Sequence, residues 1–199
     1  GGNGVVLTGV NNFSAAISYL NRAPLGSGAT TISGTTANGT GVSLLATTLN
    51  AVGDMTLFGN ATNSGNGVYI TGATNINASN GTLNISAQTP GGAALFLNPS
   101  VLNTTGCVTL SGNSTMGMAV YLPGTQALNA QNGTLNITAT TPNGTGLYFG
   151  NTILNATGNV SLSGVSTGTG TAVVMVGNTS LGANGGILNI TGTTATGVG

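Results

Sequence analysis

The chain has 199 residues, of which one is basic, Arg22, one is acidic, Asp54, and none is histidine or lysine, so its formal net charge is zero. Acid–base catalysis, hard-metal coordination and phosphate clamping draw on the residue types that are missing, and nucleic acid or anionic lipid would find no cluster of cationic side chains. The composition therefore predicts no enzyme activity, no cofactor or metal, no nucleic-acid partner and no membrane insertion. Hydrophobic residues make up 39% of the chain, too many for a disordered polar segment. They arrive in short alternating bursts, far from the run of roughly 18 that crosses a membrane. In chain order, residues 1–29 read as a partial first coil of a repeat, with Val6 on an outward strand position. The stretch ISYLNRAPLGSG reads as a loop excursion over about 16–28 that carries Arg22.

From Thr30 onward the repeat is regular. Units open at Thr30, Met55, Leu83, Val108, Leu135, Val160 and Leu188, with spacings of 25, 28, 25, 27, 25 and 28. Two kinds of unit alternate. One opens with TTI or LNI; the other opens with MTL, VTL or VSL, followed by one residue and a glycine. Together they make a double repeat of 52–53 residues, marked by LNISA at 83–87, LNITA at 135–139 and LNITG at 188–192. Every unit contains three short alternating segments separated by Gly, Asn and Thr turns: the opening strand, a second strand such as VYI (68–70) or VYL (120–122), and a third anchored by Leu49, Ile76, Leu102, Leu128, Leu154 or Leu181. The apolar period is two, which excludes helices.

Three short strands per unit of about 26 residues predict an all-β fold: a right-handed parallel β-helix, or three-sided β-solenoid, in a single segment spanning 1–199. Six full coils occupy 30–187, and a partial coil occupies 188–199. One such coil cannot bury its apolar face alone, so the units must stack and share a core. At ~4.8 Å per rung, six coils would rise about 29 Å. TGVG at 196–199 is read as lying in phase with GNGV at 2–5, as in a piece of a longer repetitive chain.

Because strand side chains alternate between faces, outward residues form columns with one member per coil. The first strand yields Thr31, Thr56, Asn84, Thr109, Asn136, Ser161 and Asn189, a mixed polar ladder. The third yields Asn50, Asn77, Asn103, Asn129 and Asn155, interrupted at Gly182, and stacked amides of this kind pass hydrogen bonds from rung to rung. The second yields Val6, Ser43, Tyr69, Phe96, Tyr121, Tyr148 and Val174. Its aromatic members are the candidate contact stripe, for ring-on-ring stabilisation, for lateral packing of rods, or for sugar rings that stack on aromatics. Cys107 is a lone cysteine, without a disulfide partner or metal-ligand spacing, and takes a turn position that sister units give to Asp54 and Asn159. A single carboxylate cannot form the pair a glycosidase uses. Fifteen asparagines fit the N-x-S/T pattern, and Asn38 and Asn143, read as turn residues, are the candidate glycosylation acceptors.

The stretch LNITATTPNGTGLYFGNTILNATGNVSLSG, residues 135–164, resembles the repeats of filamentous haemagglutinin-type adhesins of Gram-negative bacteria, and the likeness runs along nearly the whole chain. The resemblance implies export by two-partner secretion, a right-handed parallel β-helix, an extracellular or cell-surface location, and a role as adhesin, biofilm factor or stalk. The expected function is a structural or adhesive filament whose partners are copies of itself, continued end to end or bundled sideways. The alternative is a glycan-binding module using the aromatic stripe, with host or matrix glycans as partners. An ice-binding solenoid is disfavoured because the first-strand column is not a regular threonine array.

Overall fold

A computed structural model describes residues 28–199 in full, together with the backbone of strands at 6–11, 17–19 and 22–24. Among these residues there is no helix, and every strand pairing is parallel. The chain winds as a three-sided solenoid with three continuous ladders, one per face.

On the first face the unit openings stand in register: Thr30 with Met55, Met55 with Leu83, Leu83 with Val108, Val108 with Leu135, Leu135 with Val160, and Val160 with Leu188. On the second face Val42, Val68, Leu95, Val120, Leu147 and Val173 align. The third face aligns Leu49, Ile76, Leu102, Leu128, Leu154 and Leu181. Ladder separations near 26 residues follow from the repeat, because equal coil lengths keep each apolar residue above its counterpart.

The core runs along the axis, filled by one or two aliphatic residues per strand, such as Ile32, Leu57, Ile85, Leu110, Ile137 and Leu162 on the first face, all fully buried. The corners are closed by inward hydroxyls. Thr89 Oγ1 donates to Gly65 O at 2.8 Å and Gly91 O at 2.6 Å, and Ser114 Oγ donates to Gly92 O at 3.2 Å. These bonds satisfy the buried Thr89 and Ser114 hydroxyls and tie each corner to the preceding coil. Gly39, Gly65 and Gly92, with φ of 112°, 106° and 96°, turn the same corner in successive coils, a conformation that side chains with a Cβ avoid.

The glycine that marks the second kind of unit has a steric cause. A Cβ at Gly59, Gly112 or Gly164 would stand 2.0, 2.0 and 2.1 Å from the carbonyl oxygen of Gly67, Ala119 or Ala172 on the second face. In the intervening coils the same register carries Ala87 and Ala139, both buried with their methyls in place. The glycine of MTLFG, VTLSG and VSLSG is thus required by a close backbone approach, while the first kind of unit accepts either residue there, alanine at Ala87 and Ala139 and glycine at Gly34 and Gly192.

Three expectations are corrected. The first strand is seven residues long in most coils, as in Leu83–Thr89, because alanine, glycine and buried hydroxyls continue the inward alternation beyond the aliphatic residues. In two coils the strand also runs on around corners, as Thr30–Leu45 and Met55–Ala78. Ile17–Tyr19 and Arg22–Pro24 are no excursion: they pair with Val42–Leu44 and Thr48–Asn50 and so form the second and third walls of an earlier coil. The remainder of 16–27 and the Arg22 side chain lie outside the described residues. Val6 pairs with Thr31, which puts it on the first face, and Ser18 takes the second-face position assigned to it. Of the two ends compared for phase, residues 2–5 lie outside the described residues, and Val198 bridges to Thr171 at the start of the second wall.

Candidate functional site

The second wall carries the aromatic column, because its middle residue points away from the aliphatic pair on either side. Tyr69 sits between buried Val68 and Ile70, and Tyr121 between buried Val120 and Leu122. Register stacks Ser43, Tyr69, Phe96, Tyr121, Tyr148 and Val174 one above another. The four rings are in contact. Tyr69 and Phe96 lie face to face, with centroids 4.6 Å apart and planes 17° from parallel. Phe96 meets Tyr121 edge to face at 5.4 Å, and Tyr121 meets Tyr148 in the same manner at 5.0 Å. Both arrangements are favourable for ring quadrupoles. All four residues are half-buried, so each rim remains in contact with solvent.

On the third wall the asparagines form a hydrogen-bonded amide column. Asn77 Nδ2 donates to Asn50 Oδ1 at 2.7 Å, Asn103 to Asn77 at 3.1 Å, Asn129 to Asn103 at 2.7 Å and Asn155 to Asn129 at 3.3 Å. The donors all point toward the preceding coil. Asn77, Asn103 and Asn129 therefore each give and receive one bond along the column, while Asn50 only accepts and Asn155 only donates, because Gly182 offers no side chain beyond it.

The first wall is broader than its leading column. Outward positions also include Ser33, Phe58, Ser86, Ser111, Thr138 and Ser163, aligned in register two residues further along each strand. The extra column was readable from the same alternation, since the strand continues past its aliphatic residues. It makes a flat, uncharged face of hydroxyls and amides interrupted by one ring, Phe58.

Asp54, Cys107 and Asn159 are more than turn residues. Each reaches the next coil: Asp54 Oδ1 accepts from Thr82 N–H at 2.8 Å and from Thr82 Oγ1 at 3.0 Å. Cys107 Sγ accepts from Thr134 N–H at 3.5 Å and Thr134 Oγ1 at 3.4 Å, and Asn159 Oδ1 from Ile187 N–H at 2.8 Å. The acceptor thus recurs in alternate coils and clasps the two units of each double repeat. The Thr134 hydroxyl, and secondarily its N–H, hold the Cys107 thiol below its usual 9.0, with burial opposing them. Acceptor capacity shared by a carboxylate, a thiol and an amide is the signal that would have identified the position.

Of the glycosylation candidates, Asn143 is an exposed turn residue. Asn38 is also exposed but belongs to the strand Thr30–Leu45 at a register shift, paired with Ser64, whose Oγ donates to Asn38 Oδ1 at 3.1 Å. No group of three or more metal-ligating side chains occurs among the described residues, and among them no helix is long and apolar enough to cross a membrane. The surface hollows lie along the corners, as between Asn77, Asn103 and Gln131, and are lined by amides, hydroxyls and methyl groups. No known protein family, curated protein or solved structure matches the chain.

Proposed function

We propose that this β-solenoid repeat protein serves as a section of an extracellular adhesive shaft on a bacterial cell surface, of the filamentous haemagglutinin type, exported by two-partner secretion and acting mechanically rather than catalytically. The observation that carries the reading is the continuity of side-chain columns on all three walls of an uncharged rod. Backbone ladders resist bending, and the aromatic and amide columns tie each rung to the next outside the core. Charged edges normally keep sheet proteins apart, and Arg22 and Asp54 are the only charges here. Copies of the chain are therefore the first partners, packed side by side through the rims of Tyr69, Phe96, Tyr121 and Tyr148, in support of attachment, aggregation or biofilm.

Glycan binding through the same stripe has less support. A sugar stacks on a ring face, and one face of Tyr69 and one of Phe96 are closed by each other at 4.6 Å. The test is electron microscopy and sedimentation of the chain and of a variant with Tyr69→Ser, Tyr121→Ser and Tyr148→Ser, alongside binding to a glycan array. Rods that bundle, and lose bundling in the variant while folding normally, support lateral packing. Monodisperse short particles whose array binding vanishes in the variant would replace it with the glycan reading.

A further inference from the structure

Seven asparagines precede glycine; Asn3 lies outside the described residues, and the other six are Asn38, Asn66, Asn80, Asn132, Asn143 and Asn184. Asn-Gly is the pair in which the following backbone nitrogen is least hindered in attacking the side-chain amide, because glycine has no Cβ in the way. The fold divides these six into two classes. Asn38 and Asn66 are inside the strands Thr30–Leu45 and Met55–Ala78. Gly39 is registered with Gly65, and the Asn38 Oδ1 accepts from Ser64. Asn66 Oδ1 accepts from Ala93 N–H at 3.0 Å, and Gly67 is buried.

The other four lie in turns, outside any strand, and their side chains are exposed. Among the described residues no hydrogen bond is made by their side-chain amides, nor by the N–H of Gly81, Gly133, Gly144 or Gly185. Asn80 and Asn132 border one shallow hollow with Asp54, at the same corner two coils apart, about 10 Å along the axis.

We propose that Asn80, Asn132, Asn143 and Asn184 are spontaneous deamidation sites, and that their conversion turns a neutral rod acidic and weakens its lateral association. In each, the glycine nitrogen attacks the asparagine Cγ. A C–N bond forms, the glycine N–H proton passes to the departing side-chain nitrogen, and ammonia leaves. Water then adds to either carbonyl of the resulting succinimide and one C–N bond breaks, giving aspartate or isoaspartate. No oxidant or reductant is involved, and water is the sole co-reactant. Each event adds one negative charge, so four events take the chain from a formal charge of zero to four negative charges. Like charge along a rod opposes side-by-side packing over distances up to the Debye length, about 8 Å at physiological salt. The consequence for association rests on the lateral packing proposed above; the chemistry at the four sites does not.

The experiment is peptide mapping by mass spectrometry of the full chain aged in mildly alkaline buffer, folded and in denaturant. Asn38 and Asn66 must break hydrogen bonds before reacting, which slows them about fivefold or more. The expected result is modification of the four turn sites in the folded chain at least fivefold ahead of those two, with all six converging in denaturant. Equal rates at all six in the folded chain, or four unreactive turns, would overturn the assignment. In parallel, a variant with Asn80→Asp, Asn132→Asp, Asn143→Asp and Asn184→Asp is compared with the parent by light scattering. Weakened association that added salt restores supports the charge effect, and unchanged association overturns it. A parent that never associates refutes the lateral-packing reading, while the peptide map still decides the four sites.

Discussion

Asn103→Thr measures what the amide column contributes. Asn103 donates to Asn77 at 3.1 Å and accepts from Asn129 at 2.7 Å, so the substitution removes two hydrogen bonds. At about 0.5–1.5 kcal/mol each, the loss is about 1–3 kcal/mol. Threonine is the better strand former and returns up to about 1 kcal/mol, leaving a net destabilisation of up to about 2 kcal/mol when that return is complete. Asn155→Thr is the internal comparison: it removes only the 3.3 Å bond to Asn129, since Gly182 lies on its other side, and should come out near zero. Both variants are read by denaturant unfolding followed by far-ultraviolet circular dichroism, where stacked coils respond to nearest-neighbour terms. If Asn103→Thr is as stable as Asn155→Thr, or more stable than the parent, the column has no energetic role and strand propensity alone governs that wall.

Three further outcomes follow from the packing. Gly112→Ala would put a methyl 2.0 Å from Ala119 O; because the obstacle is backbone, a loss of about 3 kcal/mol is expected in thermal unfolding, whereas Ala139→Gly in the next coil should lose only about 0.5–1 kcal/mol. Ser100 Oγ is buried without a hydrogen-bond partner, in the column where Thr152 Oγ1 donates to Gln126 Oε1 at 3.1 Å, so Ser100→Ala should raise stability by about 1 kcal/mol in the same assay. The Cys107 thiol is held below 9.0 in the fold, so the stability it contributes is present above the unfolded value and lost as pH falls through the folded one. Unfolding midpoints across that window should rise with pH in the parent and stay flat in Cys107→Ser; a slope that survives the substitution would exclude the thiol as its source.

What the sequence determined by itself was the solenoid. Equal unit lengths, two-residue alternation and aliphatic anchors at constant phase leave one way to bury the apolar side chains, so the register of Thr30, Met55, Leu83 and their successors was readable before any coordinates. The membership of the aromatic and amide columns was readable for the same reason. Where alternation is carried by small or polar residues it carries less signal: Arg22–Pro24 read as an interruption, although the third wall accepts it as a rung. Only the tertiary structure decided how the columns are joined. Ring planes, amide donor directions and the clasp from Asp54, Cys107 and Asn159 to the following coil depend on the height and lateral offset between rungs, and these are set by the packing of all three walls together. The same holds for the Asn-Gly pairs. Identical dipeptides differ in backbone setting and hydrogen bonding because the ladder takes up Asn38 and Asn66 and leaves Asn80, Asn132, Asn143 and Asn184 in its turns, a distinction that local sequence does not contain.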